Sequence, residues 1–441
     1  MNISTKMTIN IIGAGITGLS AAYFLTKQGH SVNIFDHACE VGGLSGYFPV
    51  EGTYLEKYYH HIFSGHFELI GLMNELGVGN TVFFQKTKMG FYYEGRIYPF
   101  ASATDLLNFA PLKIRDRVRL GMSSLMMMRI KDWRAMEKKS ALEWLRVYSG
   151  QESCRIIWEP LLKMKFGNDY NRISAAWLWN RVVDRKKTKG NSDEKDALGY
   201  IRQGYKILFD VLTERIKSYG GVIYTGTSVN EVIVRDGRSS MVRTADKIIS
   251  GDAVLATVSI PAFIEMVPNL PKEYVNRISS INYQNSVCVI LKLKKSLSDY
   301  YWINISDPDS PFVGIIEHTR LVPPENYGNF NLVYLTKYTS SKDEMYSKPD
   351  EEVYKIFITQ LKRIFPHINN DDIMEYWVFR DRYSQPVFVK NYSKIMPEIA
   401  TPIRHLYLLN TSQLYPESRC LNSSIMKSKE AVKEILRNNA K

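Results

Sequence analysis

The chain has 441 residues, of which 45% are hydrophobic and 23% are charged, and its formal net charge is +12. This length predicts at least two domains, and no apolar run is long enough to span a bilayer. Four widely spaced cysteines without a CxxC pair argue against a disulfide scaffold, so we expect reduced thiols, a cytoplasmic protein and no metal centre. The positive charge favours anionic partners, but the sequence contains no recognisable nucleic-acid-binding module, so we expect no nucleic acid.

The first predicted element is a strand–turn–helix unit at residues 8–25, with the sequence TINIIGAGITGLSAAYFL. A signal peptide is excluded because glycines interrupt the apolar run and the preceding segment carries little positive charge. The glycines, Gly13, Gly15 and Gly18, have the spacing G-x-G-x-x-G. Gly13 permits a tight turn, Gly15 lets the backbone approach a pyrophosphate, and Gly18 lets the helix pack on the strand.

A second predicted strand, VNIF, ends at Asp36, which follows Gly18 by 18 residues. A carboxylate at this position can accept hydrogen bonds from a ribose, so the unit predicts a dinucleotide site. A second glycine pair, Gly42 and Gly43, follows directly and is succeeded by Leu44.

This second glycine pair resembles the flavoprotein signature in which Gly-Gly follows the second strand and lies along FAD. The chain thereby resembles the FAD-dependent flavin amine oxidase superfamily, including protoporphyrinogen oxidases, phytoene desaturases and, more distantly, UDP-galactopyranose mutases. The resemblance implies FAD as cofactor. It also implies an α/β fold, in which a Rossmann-like FAD-binding domain carries an inserted substrate domain of helices and antiparallel sheet.

The resemblance further implies a discontinuous FAD-binding domain made of residues 1–60, 215–265 and 400–441. The substrate domain then comprises residues 61–214 and 266–399. Within it we expect a helical first part, a charged surface loop at 184–197, and an antiparallel sheet that forms the floor of a cavity. The strands of that sheet are predicted in the segments Ser286–Lys295, Pro311–Thr319 and Asn331–Tyr338.

Further FAD contacts are implied by the same resemblance. A strand edge near Val229 is expected to contact the adenine through its backbone. After the last strand, Asn410, Thr411 and Gln413 stand near the place where the superfamily usually has Gly-Asp or Gly-Glu. Their side chains can hydrogen-bond a ribityl or phosphate group, and the helix that follows is expected to direct its N-terminus at the flavin.

The catalytic candidates lie in the segment GTYLEKYYHHIFSGH, because in the superfamily the chain after Gly-Gly crosses close to the flavin. We predict Tyr59, His60 and His61 as catalytic residues, since histidine exchanges protons near neutral pH. One of the two adjacent histidines must point away from the site. Many amine oxidases place a lysine near flavin N5, but the corresponding strand here has its first lysine at Lys292. This absence favours a desaturase-like or oxidase-like enzyme.

Two further patterns each have a functional and a plain interpretation. Aromatic and charged residues in the middle of the chain form either an anion-accepting pocket or a core with solvated charges; they are Trp158, Glu159, Lys163, Lys165, Trp177 and Arg181. The segment 113–139 is basic with an apolar block, and predicts either a helix lying on an anionic membrane face or a helix packed on the substrate domain.

The sequence therefore predicts an FAD-dependent oxidoreductase. We expect it to transfer a hydride from a bulky isoprenoid-like, porphyrin-like or anionic substrate to flavin N5. One alternative resembles UDP-galactopyranose mutase, in which reduced flavin acts on a nucleotide sugar; another is an FAD-binding protein that has lost catalysis. The expected partners are a small-molecule substrate and a peripheral membrane surface on its cytoplasmic side, while the oligomeric state stays open.

Overall fold

The computed structural model describes residues 6–187, 197–340, 343–417 and 419–439. Most of the charged segment predicted as a surface loop at 184–197 lies outside the described residues. Its first four residues belong to the end of a helix, and its last residue begins a strand.

The strands are β1 (Thr8–Ile12), β2 (Ser31–Phe35), β3 (Tyr47–Val50), β4 (Thr53–Glu56), β5 (Val82–Lys86), β6 (Met89–Tyr93), β7 (Arg96–Pro99), β8 (Ala197–Ile201), β9 (Val222–Tyr224), β10 (Val229–Arg235), β11 (Arg238–Thr244), β12 (Ile248–Ser250), β13 (Ala253–Ala256), β14 (Tyr283–Leu293), β15 (Trp302–Ile305), β16 (Gly314–Glu317), β17 (Asn331–Thr339), β18 (Ile373–Pro386) and β19 (Leu406–Leu408).

The helices are α1 (Ile16–Lys27), α2 (Phe67–Glu75), α3 (Ala103–Leu107), α4 (Ile114–Arg129), α5 (Ala141–Tyr148), α6 (Gln151–Ser153), α7 (Glu159–Phe166), α8 (Ala175–Lys187), α9 (Lys206–Ser218), α10 (Ile260–Met266), α11 (Lys272–Ser279), α12 (Asp350–Ile364) and α13 (Leu421–Asn439). A π-helical segment, Cys154–Trp158, joins α6 to α7.

A parallel sheet with the strand order β19-β13-β1-β2-β9 organises the N-terminal glycine-rich unit. Its central strand β1 is buried on both faces, as expected for a strand covered by other layers, and α1 packs against α9 and α13. The strands come from residues 1–60, 215–265 and 400–441, the ranges that the sequence assigns to the FAD-binding domain. The exact domain boundaries remain a prediction.

A mixed sheet with the order β18-β14-β17-β16-β15-β6-β7 forms the second layer. Its inner strand β14 is almost entirely buried, which explains the unbroken apolar run in this segment. The three strands predicted from sequence correspond to β14, β16 and β17. The expected helical first part also contains strands, because β6 and β7 extend this sheet and β6 pairs in parallel with β15.

The two sheets share one hydrophobic core, since side chains of β1 and α1 belong to the same buried cluster as those of β14 and β17. The predicted α/β fold class, a parallel-sheet unit combined with helices and a largely antiparallel sheet, is therefore confirmed. Among the described residues, no helix has the length and apolar character needed to cross a membrane. The predicted surface helix at 113–139 is shorter than expected, because α4 ends at Arg129.

Candidate functional site

A cavity of about 670 Å³ lies between the two sheets. One wall is built at the carboxyl ends of β1, β2 and β13, where Gly13, Asp36 and Thr257 line it. This is the edge of a parallel sheet at which ligands bind, next to a point where the strand order reverses. The facing wall contains Trp302 and Tyr338 from the mixed sheet.

In the first glycine turn, neighbouring atoms lie too close to leave room for a side chain at Gly13 or Gly18. Gly13 has a φ of +108°, and a Cβ there would lie 2.4 Å from the Thr257 hydroxyl. A Cβ on Gly18 would lie 2.0 Å from the Gly13 carbonyl oxygen, so α1 packs against the end of β1 only with glycine at this position. Gly18 does not line the cavity, whereas Gly15 does.

The N-terminus of α1 faces the cavity through Gly15, Ile16 and Thr17. No side chain caps this helix, and its first turn contains no acidic residue. Its backbone N–H groups and the positive end of its dipole are therefore available to an anion. This arrangement fits the pyrophosphate of a dinucleotide.

The second glycine pair rests directly on the first turn. Gly42 has a φ of +122° and Gly43 one of +55°, and a Cβ on Gly43 would lie 3.2 Å from the Cα of Gly15. The Gly42 N–H donates to the Ala14 carbonyl at 2.9 Å. Together with Leu44, which also lines the cavity, the two loops form a shallow cradle of bare backbone.

Asp36 links the cradle to the end of β2 by hydrogen bonds. Its carboxylate accepts hydrogen bonds from the Ala14 N–H at 2.6 Å and the Ala38 N–H at 2.9 Å. A carboxylate has about four acceptor positions, so it retains capacity for ribose hydroxyls on the cavity side. The nearby Val229, at the start of β10, lines the same end of the cavity.

The C-terminal candidates divide between lining and supporting roles. Asn410 and Thr411 line the cavity, although the Asn410 amide is held by the Val258 carbonyl at 2.7 Å and by Ser412. Gln413 is only 4% exposed and does not line the cavity. Its side chain accepts from the Asn410 N–H and donates to the Leu408 carbonyl, so it braces the turn instead of reaching a ligand. The beginning of α13 faces the cavity through Leu421 and Ser424.

The three predicted catalytic residues all line the cavity. The His60 Nδ1–H donates to the Tyr58 carbonyl at 2.6 Å, which leaves Nε2 to accept from the Ser45 hydroxyl at 3.1 Å. Burial lowers the pKa of His60 to about 4, so the ring is uncharged at neutral pH. His61 contacts the Tyr301 hydroxyl at 3.4 Å and presents its ring to Trp302.

Tyr59 lies deeper, with its hydroxyl 3.1 Å from that of Tyr338 and its ring edge-on to Trp302. Burial raises the pKa of Tyr59 well above its ordinary value, so it is a neutral hydrogen-bonding group. A catalytic role for Tyr59, His60 and His61 remains a prediction.

The predicted anion pocket separates into two groups. Glu159 pairs with Lys163 at 3.0 Å on the outside of α7, and Trp158 packs in the core. Trp177, Lys165 and Arg181 instead gather beside the cavity, where Arg181 lies over the Trp177 ring. Lys292 does not line the cavity and forms an ion pair with Glu51.

Several residues that line the cavity were not predicted from the sequence. Trp302, Tyr338 and Arg419 reach the cavity from separate strands and a loop, and no spacing in the sequence connects them. Thr257, in the loop after β13, also lines the cavity.

Bare glycine turns, an uncapped helix N-terminus and an acid at the second strand fit FAD, and together they define a dinucleotide-binding flavoprotein. The sequence model of the family described as flavin containing amine oxidoreductase matches residues 16–406, so the chain belongs to this family. The chain is 21% identical over 487 aligned positions to the zeta-carotene desaturase of Synechocystis, with 99% of this chain and 98% of that protein covered.

Solved structures show the same fold. A protoporphyrinogen oxidase-like protein from Exiguobacterium superposes with a TM-score of 0.78 at 16% identity, covering 99% of this chain and all of that one. Reduced UDP-galactopyranose mutase superposes with a TM-score of 0.77 at 17% identity, covering 98% and 96% of the two chains. The cofactor is FAD, and the protein is an FAD-dependent oxidoreductase.

Proposed function

We propose that this enzyme removes a hydride from a C–H bond of a bulky substrate that is isoprenoid-like, porphyrin-like or anionic. The observation that carries the proposal is the cavity that joins the glycine cradle to an aromatic wall of Tyr59, His61 and Trp302. When bound, FAD supplies a ring that accepts a hydride at N5.

The protein residues position the reactants and exclude water. The wall residues Tyr59, Trp302 and Tyr338 give the substrate a rigid apolar surface with two hydroxyl groups. His60 is held in one tautomer and braces the Gly42–Ser45 turn through Ser45. Proton exchange with the substrate then belongs to His61, whose imidazole lies on the cavity surface.

The proposal is tested by anaerobic reduction of the flavin. The purified protein should release FAD on heating, and the flavin absorbance should bleach with a substrate of the proposed class. Zeta-carotene and protoporphyrinogen represent the first two classes, and a long-chain carboxylate represents the third. An FAD-loaded protein that none of these compounds bleaches would contradict the proposal.

A second candidate function is a mutase reaction on a nucleotide sugar, which the arginines in the cavity wall favour because a diphosphate needs cations. Arg181, Arg382 and Arg419 all line the cavity. A mutase requires prior reduction of the flavin but consumes no oxidant in turnover. Conversion of UDP-galactopyranose by dithionite-reduced protein, without net oxidation, would select this function.

We also propose that α4 rests on an anionic membrane surface. Its outer face exposes large apolar side chains, with Ile114 61% and Met122 59% exposed and Val118 and Leu125 between and beyond them. Exposed arginines and lysines surround this face, a combination that favours the interface of an anionic bilayer. Because α4 packs on α8, which carries Arg181, an apolar substrate leaving the bilayer would arrive beside the cavity.

A further inference from the structure

Three basic side chains from separate parts of the chain lie near Tyr338: Arg181 and Arg419 line the cavity, and Lys165 lies against the Tyr338 ring just outside the lining. Lys165 lies near the end of α7, Arg181 lies on α8, and Arg419 precedes α13. Within the described part of the chain, none of the three forms an ion pair with a carboxylate within 4.0 Å. By contrast, the neighbouring Lys163 on the same helix pairs with Glu159 in the ordinary way.

The surroundings of Lys165 disfavour the charged form of its amino group. Its Nζ lies 4.8 Å from the centre of the Tyr338 ring and 5.7 Å from that of Trp177. Burial, together with the charges of Arg181 and Arg419, holds the pKa of Lys165 well below its ordinary value. Aromatic faces attract a cation, but they do not replace a counter-ion when like charges stand nearby.

Two hydroxyl groups complete the cluster. The Tyr59 and Tyr338 hydroxyls are 3.1 Å apart, and the charges of Arg419 and Arg181 both act on Tyr59. A hydroxyl beside a guanidinium group is a good donor to an oxyanion.

Within the described residues, no carboxylate forms an ion pair with this cluster within 4.0 Å. Asp184 accepts from the Asn180 amide at 2.7 Å, and the charge of Arg419 acts on Asp381 from a longer distance. The charges that act on Lys165 come from Arg181 and Arg419, and both are positive.

We propose that the substrate carries an oxyanion, a carboxylate or a phosphate, which binds between Lys165, Arg181 and Arg419 beside the Tyr59 and Tyr338 hydroxyls. This inference rests on the proposed function, because it names the substrate group that this side of the cavity selects. The remainder of the substrate then extends along the aromatic wall toward the glycine cradle. An uncharged hydrocarbon would supply no anion to the three basic groups, so the cluster favours the anionic class among the substrates considered above.

The test uses two probes, benzoate and inorganic phosphate, titrated into the FAD-loaded protein. Binding is followed by tryptophan fluorescence, because Trp177 and Trp302 lie beside the cluster and the cavity, and in parallel by the flavin spectrum. We expect saturable binding of one probe and a loss of about tenfold or more in affinity for Lys165→Met. Lys165→Arg should retain most of the affinity, and the matched control Lys163→Met should bind as the wild type does.

A second readout separates recognition from a structural role. An anion next to Lys165 raises its pKa, so binding should take up protons in the wild type but not in Lys165→Met, as measured by calorimetry in two buffers of different ionisation enthalpy. Benzoate alone identifies a carboxylate, and phosphate alone identifies a phosphate. Failure of both probes to bind, or equal affinities of Lys165→Met and Lys163→Met, overturns the inference. Because fluorescence does not depend on flavin reduction, a protein that binds the anion but shows no reduction by substrate contradicts only the proposed function.

Discussion

Glu56 allows a quantitative prediction about how stability depends on pH. This side chain at the end of β4 is completely buried, and its carboxylate accepts from the Tyr200 hydroxyl and from the Tyr205 N–H, the latter at 2.7 Å. Burial raises its pKa from 4.5 to about 7, because the hydrogen bonds only partly offset the loss of water. Tyr205 lines the cavity against the His60 ring, so Glu56 also supports the site.

The sign of the effect follows from proton linkage. The folded pKa lies above the unfolded value, so between pH 4.5 and 7 the folded state binds more protons and stability falls as the pH rises. The difference between these two values corresponds to about 3 kcal/mol, which is fully lost above pH 7. Glu56→Gln removes the titration while its amide oxygen still accepts from the Tyr205 N–H.

The assay is urea unfolding of the FAD-loaded wild type and of Glu56→Gln at several values between pH 5 and pH 8. We expect the free energy of unfolding of the variant, relative to the wild type, to increase by about 3 kcal/mol across this range. The control Glu351→Gln, which alters an exposed carboxyl paired with Lys355, should parallel the wild type. A difference between Glu56→Gln and the wild type that does not change with pH would refute the reasoning.

Three further predictions concern the cradle and α4. Gly18→Ala places a Cβ 2.0 Å from the Gly13 carbonyl oxygen, so it should lower the free energy of unfolding by about 1–3 kcal/mol and reduce the amount of FAD released on heating. The control Gly71→Ala, at a position with open space around it, should change neither quantity. Asp36→Asn replaces one acceptor oxygen by a donor and leaves the N–H of Ala14 or Ala38 unsatisfied. The binding free energy of FAD, measured by flavin fluorescence, should therefore weaken by about 1–3 kcal/mol. An unchanged affinity would argue against a role of Asp36 in FAD binding. Met122→Asp should abolish sedimentation of the protein with vesicles containing phosphatidylglycerol. The control Met374→Asp, at a position on β18 that is 47% exposed, should leave sedimentation unchanged. Equal sedimentation of the two variants would exclude α4 as the contact.

The local motifs are the part of the site that could be predicted from the sequence. The turn at Gly13, the helix packing at Gly18 and the acid at Asp36 depend on contacts within about thirty residues, and each follows from the geometry of one strand–turn–helix–strand unit. The family, the FAD cofactor and the α/β fold class, which were implied by the resemblance of the Gly42–Gly43 segment to a flavoprotein signature, are confirmed.

Long-range contacts were less accessible. Gln413 has the chemistry to bind a ligand, but the fold uses its amide to brace the turn after β19. The strands β6 and β7 were missed because their place in the mixed sheet depends on pairing with β15, more than two hundred residues along the chain.

By itself, the sequence determined the cofactor end of this protein, since glycine's freedom at positive φ and an uncapped helix N-terminus are properties of a short segment. Only the tertiary structure decided which residues surround the other end of the cavity. Lys165 belongs to α7, Arg419 precedes α13 and Tyr338 lies on β17, and packing of the two sheets brings them together. The charges of Arg181 and Arg419 act on Lys165 because burial removes water from between groups that are distant in the chain.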